Sequence, residues 1–90
     1  MNDVIIIRKF IHDDVGVAAD YKSAIYYLIK EGWIGNYTDI YDENKNKYMP
    51  ISEVLGKDWQ TVLLNANEDW FNDKFVDQFG LERVKIYKHE

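Results

Sequence analysis

Two sets of acidic residues in this 90-residue sequence have a spacing that suggests chemistry. The first is Asp42-x-Asn44-x-Asn46, with Glu53 further on. These residues fall at the first, third, fifth and twelfth places of a helix–loop–helix calcium site. The sixth place of such a loop needs glycine for its sharp turn, and Lys47 stands there, bringing a positive charge among the ligands. The segment therefore reads as a polar hairpin turn, and no metal is expected. The second set is Asp69, Asp73 and Asp77, preceded by Glu68. A recurrence of four places the three Asp on one stripe of a helix, with Cα atoms about 6 Å apart from the rise per residue. That is the scale of the step between backbone phosphates, so the stripe suits a basic groove built for nucleic acid. An ordinary solvated helix face opposite Trp70, Phe71, Phe75 and Phe79 needs the same residues.

Other chemistries find little to work with. His12 lies beside Asp13 and Asp14, as an oriented base would, but no nucleophile is marked out for it, since Ser23 and Ser52 carry no motif. His12 and His89 are expected at opposite ends of a sheet and so share no site. Glycines 16, 32, 35, 56 and 80 are scattered, and none opens a phosphate-binding loop. Phe10, Arg8 and Lys9 on one strand and Lys47 and Tyr48 on another are a thin version of the aromatic and basic face that binds RNA. A net charge of −5 opposes that use, so no direct nucleic-acid binding is expected. No catalytic residue, cofactor-binding residue or metal ligand is assigned.

The elements that must position these residues are legible from periodicity. Val4–Ile7, β-branched and continuous with Phe10 and Ile11, reads as a central strand. Residues 15–31 read as a helix whose buried face is Ala18, Tyr21, Ile25, Leu28 and Ile29, capped by Asp13 or Asp14 and stopped by Gly32. Residues 37–41 and 47–49 read as a hairpin closed by a polar turn and ended by Pro50. Ser52 is the expected cap of a helix to about residue 65, interrupted at Gly56. Asn67, followed by Glu68 and Asp69, starts another helix that should end at Gly80. Residues 83–88 alternate as a last, half-exposed strand.

The order β-α-β-β-α(α)-β is that of the ferredoxin-like split βαβ arrangement, an antiparallel sheet with helices on one face and its first and last strands neighbours. The expectation is one α+β domain over residues 1–90. Both faces of the first strand are apolar, so one is expected to stay open and serve as an interface through Ile6, Arg8, Phe10 and Tyr87.

Composition completes the reading. The chain is 47% hydrophobic and 16% aromatic, enough for a packed core, and it has no Cys. No apolar run is long enough to span a bilayer and no signal-peptide pattern is present, which implies a cytoplasmic protein. Ile, Lys, Asn and Tyr are common and Ala, Arg and Pro scarce, the bias of an AT-rich coding sequence such as a mobile element carries. Together these features imply a small acidic, non-enzymatic protein-interaction module. Its sharper form is a phage-type inhibitor that blocks a nucleic-acid enzyme by charge mimicry through Glu68, Asp69, Asp73 and Asp77. The alternatives are a small-ligand or enzymatic domain using His12, Asp13 and Tyr21, and a structural homodimer or complex subunit using the open sheet face.

Overall fold

Val4 to Ile7 form the middle of β1 (Asn2–Lys9), the central strand of a three-stranded antiparallel sheet. The structure, a computed structural model, describes residues 2–9 and 13–86. β1 pairs on one side with β2 (Asp13–Ala18) and on the other with β5 (Phe79–Ile86), giving the order β2-β1-β5. Between β2 and β5 come α1 (Tyr21–Lys30), a separate hairpin of β3 (Asp39–Asp42) and β4 (Lys47–Pro50), and then three short helices. These are α2 (Ile51–Leu55), α3 (Trp59–Leu64) and α4 (Glu68–Lys74).

The protein is thus α+β, and its first and last strands are antiparallel neighbours, Asn2 opposite Ile86 and Lys9 opposite Phe79. The ferredoxin-like strand order is not the one seen among the described residues. The hairpin that should have joined the sheet pairs only with itself, and β1 takes β2 as its second neighbour instead. The reason lies in residues 13–18. Asp13 to Ala18 were expected at the cap and in the first turn of the helix, but Val15-Gly16-Val17 is a β-branched alternation that pairs back onto β1, Ile7 facing Gly16 and Ile6 facing Val17. The helix then starts six residues late, at Tyr21, capped by Asp20, whose carboxylate accepts the Ser23 backbone N–H at 2.8 Å. Gly16 admits close packing here, since a Cβ would sit 3.3 Å from the Tyr27 ring.

Other boundaries move or hold for local reasons. Ser52 is not a cap. Its hydroxyl donates to the Asn36 carbonyl at 2.9 Å, and α2 begins at Ile51 after Pro50. Gly56, at φ 89°, separates α2 from α3 as its position suggested. Asn67 does cap α4, accepting the Trp70 N–H at 2.9 Å. α4 stops at Lys74, however, and Gly80 lies inside β5, which opens at Phe79 because Phe79 and Leu81 alternate into the core.

The core lies on one side of the sheet. Ile5 and Ile7 of β1 and Leu81 of β5 meet Ala24, Ile25 and Leu28 of α1, Leu63 of α3 and Phe71 of α4. Phe71 and Phe75 stack at 4.4 Å between ring centroids.

Candidate functional site

α4 carries the acidic residues, and its short length divides them. Asp69 and Asp73 lie one helical turn apart and both are exposed. Asp77 falls in the turn after the helix, so a three-step ladder on one helix is not formed. Glu68 leaves the stripe altogether. It pairs with Arg83 of β5, Nη2 to Oε1 at 2.5 Å, and Asp3 of β1 stands 3.7 Å from the same guanidinium. Lys74, the one cation of α4, reaches across to Glu43 of the β3–β4 turn at 3.1 Å. Both cations are thus held by other carboxylates, and Asp69, Asp73 and Asp77 are exposed.

The turn after α4 is tied to the hairpin. Gln78 donates to the Asp39 carbonyl at 2.5 Å, and the Tyr48 hydroxyl stands 3.5 Å from Asp77 Oδ2. Desolvation, reinforced by the Asp77 and Asp73 carboxylates, holds the Tyr48 phenol above its ordinary range. Between this turn, the hairpin and the connection after α1 lies an open groove of about 570 Å³. Trp33, Tyr37, Tyr48 and Phe79 supply its aromatic walls, and Asp39 and Asp77 also line it. Lys9 also lines it, its ammonium 4.6 Å from the centre of the Trp33 ring. Tyr37 is 86% exposed, an aromatic side chain with almost no packing role. The sequence reading missed this groove because its walls come from three separate segments. The available signal was Trp33-x-x-x-Tyr37 in a glycine-containing connection.

The sheet face turned away from the core is a second surface. Strand alternation puts Ile5 and Ile7 inside, so Val4, Ile6 and Arg8 face out, with Val17 of β2 and Val84 and Ile86 of β5 beside them. Val17 is 67% and Ile86 47% exposed. Ile6 and Arg8 therefore share the open face, while Phe10 and Tyr87 lie outside the described residues. Arg8 is held by its neighbours: Nε to Asp14 at 2.9 Å and Nη1 to Glu82 at 2.5 Å. The pairing sits at a bulge in β2, where Ile7 faces Gly16 and Arg8 faces Asp14. A smaller recess of about 250 Å³ near Arg8 is lined by Asn72, Val76 and Gly80 to Glu82.

The remaining sequence candidates are dispersed. Asp42, Asn44 and Asn46 form the hairpin turn, Asp42 Oδ1 accepting the Asn44 N–H at 3.0 Å and Asn46 taking φ 54°. Glu53 is separated from them by β4, on α2. Among the described residues, no group of three or more His, Cys, Asp or Glu could hold a metal ion. Arg8 and Lys9 lie in the sheet and Lys47 and Tyr48 in the hairpin, so they make no common sheet face. Tyr21 is buried, and its hydroxyl donates to the Leu63 carbonyl at 2.7 Å, while Asp13 is exposed at the start of β2. His12 and His89 lie outside the described residues. No helix among the described residues is long and apolar enough to cross a membrane.

Comparison with protein-family models, with curated proteins and with solved structures finds no match to this chain.

Proposed function

We propose that this chain is a small acidic, non-enzymatic interaction module whose α4 side engages a basic protein surface. The observation that carries the reading is the division of charge around α4. Lys74 and Arg83, the cations beside the helix, are bound to Glu43 and Glu68 rather than to Asp69, Asp73 and Asp77, all three of which are exposed. Net charge of −5 and the aromatic groove next to these carboxylates support the same reading. In its sharper form the partner is a nucleic-acid enzyme, and the module is a phage-type inhibitor that occupies a phosphate-binding groove. Asp69 and Asp73, about 6 Å apart along the helix, support this form at the scale of one phosphate step.

The test is affinity capture with the tagged chain, followed by elution with rising salt or with duplex DNA. A basic partner released by both is the expected result, because exposed charge pairs are screened and DNA competes for the same groove. Asp69→Lys with Asp73→Lys should abolish capture while circular dichroism stays unchanged, since both side chains are exposed. Undiminished capture by the double variant would eliminate charge recognition through α4.

A second reading, a homodimer or complex subunit, is favoured by the open face of Val4, Ile6, Val17, Val84 and Ile86, which no helix covers among the described residues. Sedimentation of the wild-type chain against Ile6→Lys separates the two.

A further inference from the structure

We infer that the aromatic groove beside α4 is the pocket for an arginine side chain of the partner. This rests on the acidic-module reading and deepens it by naming the chemistry the partner must present. Three features converge. The groove has aromatic faces, Trp33, Tyr37, Tyr48 and Phe79, and two carboxylates, Asp39 and Asp77, around one opening. A cation already uses one of those faces, since Lys9 lies 4.6 Å above Trp33, so the walls accept positive charge in this geometry. The same lining holds the Tyr48 hydroxyl 3.5 Å from Asp77 Oδ2 and the 86% exposed Tyr37, so one groove combines an open aromatic ring with an acceptor carboxylate.

A guanidinium fits that combination better than an ammonium. Its plane stacks on a tyrosine ring, while its edge donates a fork of hydrogen bonds to a carboxylate. A lysine ammonium offers a point charge without the stacking plane. Asp73, which acts on Tyr48 electrostatically, links the groove to the α4 stripe, so the two form one acidic surface with a single aromatic recess.

The test uses the full chain and a short capped Arg-Gly-Gly-Arg peptide, with Lys-Gly-Gly-Lys as the control. The Trp33 indole N–H is followed by NMR during titration. The expected result is a saturable shift of that resonance and tighter binding of the arginine peptide. Tyr37→Ala should weaken binding roughly three- to tenfold, the range of an exposed-to-partly-desolvated cation–π contact, with an unchanged melting curve. Equal affinity for the two peptides overturns the assignment of arginine. Equal affinity of Tyr37→Ala and wild type overturns the groove as the site.

The inference and the reading beneath it fail separately. Partner capture that is lost in the Asp69→Lys/Asp73→Lys chain but kept in Tyr37→Ala overturns the groove and leaves the acidic module. Capture that the α4 substitutions do not change overturns the module, whatever the peptide does.

Discussion

Tyr21 shows that the burial of a side chain is legible in the sequence while the partner of its polar tip is not. It begins α1 with its ring in the core and its hydroxyl donating to the Leu63 carbonyl of α3. Burial, with Glu68 adding to it, pushes the phenol above its ordinary range of about 10. The folded state therefore keeps a proton that the unfolded chain releases. The stabilisation is complete below about pH 10 and is lost as pH rises from there through the folded value. Thermal melts from pH 8 to 11 should show wild-type stability falling more steeply than that of Tyr21→Phe. At neutral pH, Tyr21→Phe should cost roughly 1–2 kcal/mol, because the Leu63 carbonyl loses its side-chain donor in a buried place. Periodicity marked Tyr21 as core. It held no information about the hydroxyl, whose acceptor is 42 positions away.

At the scale of elements, Asn72 carries a role that no local pattern announces. Its carboxamide pairs with one residue of β5 in both directions, Nδ2 donating to the Leu81 carbonyl at 2.9 Å and Oδ1 accepting the Leu81 N–H at 2.8 Å. Those are the groups that a further strand would bind, so the side chain acts as one residue of a missing strand and closes the edge of the sheet there. Asn72→Ala should cost about 1–3 kcal/mol in urea unfolding, since two backbone groups lose partners in a half-buried setting. Hydrogen exchange at the Leu81 amide should rise with it. The helix starts divide along the same line. Asn67-Glu68-Asp69 announced α4 from neighbouring residues alone, and the structure agrees. The start of α1 moved to Tyr21, with Asp20 as its cap, because residues 13–18 had a better use as β2, which depends on a pairing with β1 that helical periodicity does not see.

For the whole molecule, the decisive fact is which face of the sheet meets the helices. Ile5 is fully buried, whereas Ile6, its neighbour, lies on the open side. Ile5→Lys should abolish cooperative unfolding, because a charge would enter a core that holds no buried polar or charged side chain among the described residues. Ile6→Lys should leave a folded chain with a loss of no more than about 1–2 kcal/mol. If the open face joins two copies, the same variant is monomeric where the wild-type chain is dimeric. A monomeric wild-type chain removes that reading and leaves α4 and the groove as the interaction surface. Melting curves for the pair of variants, with sedimentation for Ile6→Lys, check both statements.

Local chemistry was enough for much of this protein. β-Branching placed β1. Polar turn residues and Pro50 placed the hairpin, and Gly56 the break between α2 and α3. Helical spacing marked Tyr21, Ile25 and Leu28 as core. Each of these follows from steric preference or burial pattern over a few neighbouring residues. Strand partners do not, because β1 can pair equally well with any β-branched segment that reaches it, and here residues 13–18, a few positions away in sequence, are the ones that pair with it. The same holds for charge. The stripe from Glu68 to Asp77 is uniform along the chain, but tertiary contact with Arg83 neutralises one member, and the end of α4 at Lys74 takes another off the helix. The groove is wholly a tertiary product: Lys9, Trp33, Tyr48 and Asp77 are distant in sequence and meet only because the hairpin packs against the turn that leads into β5.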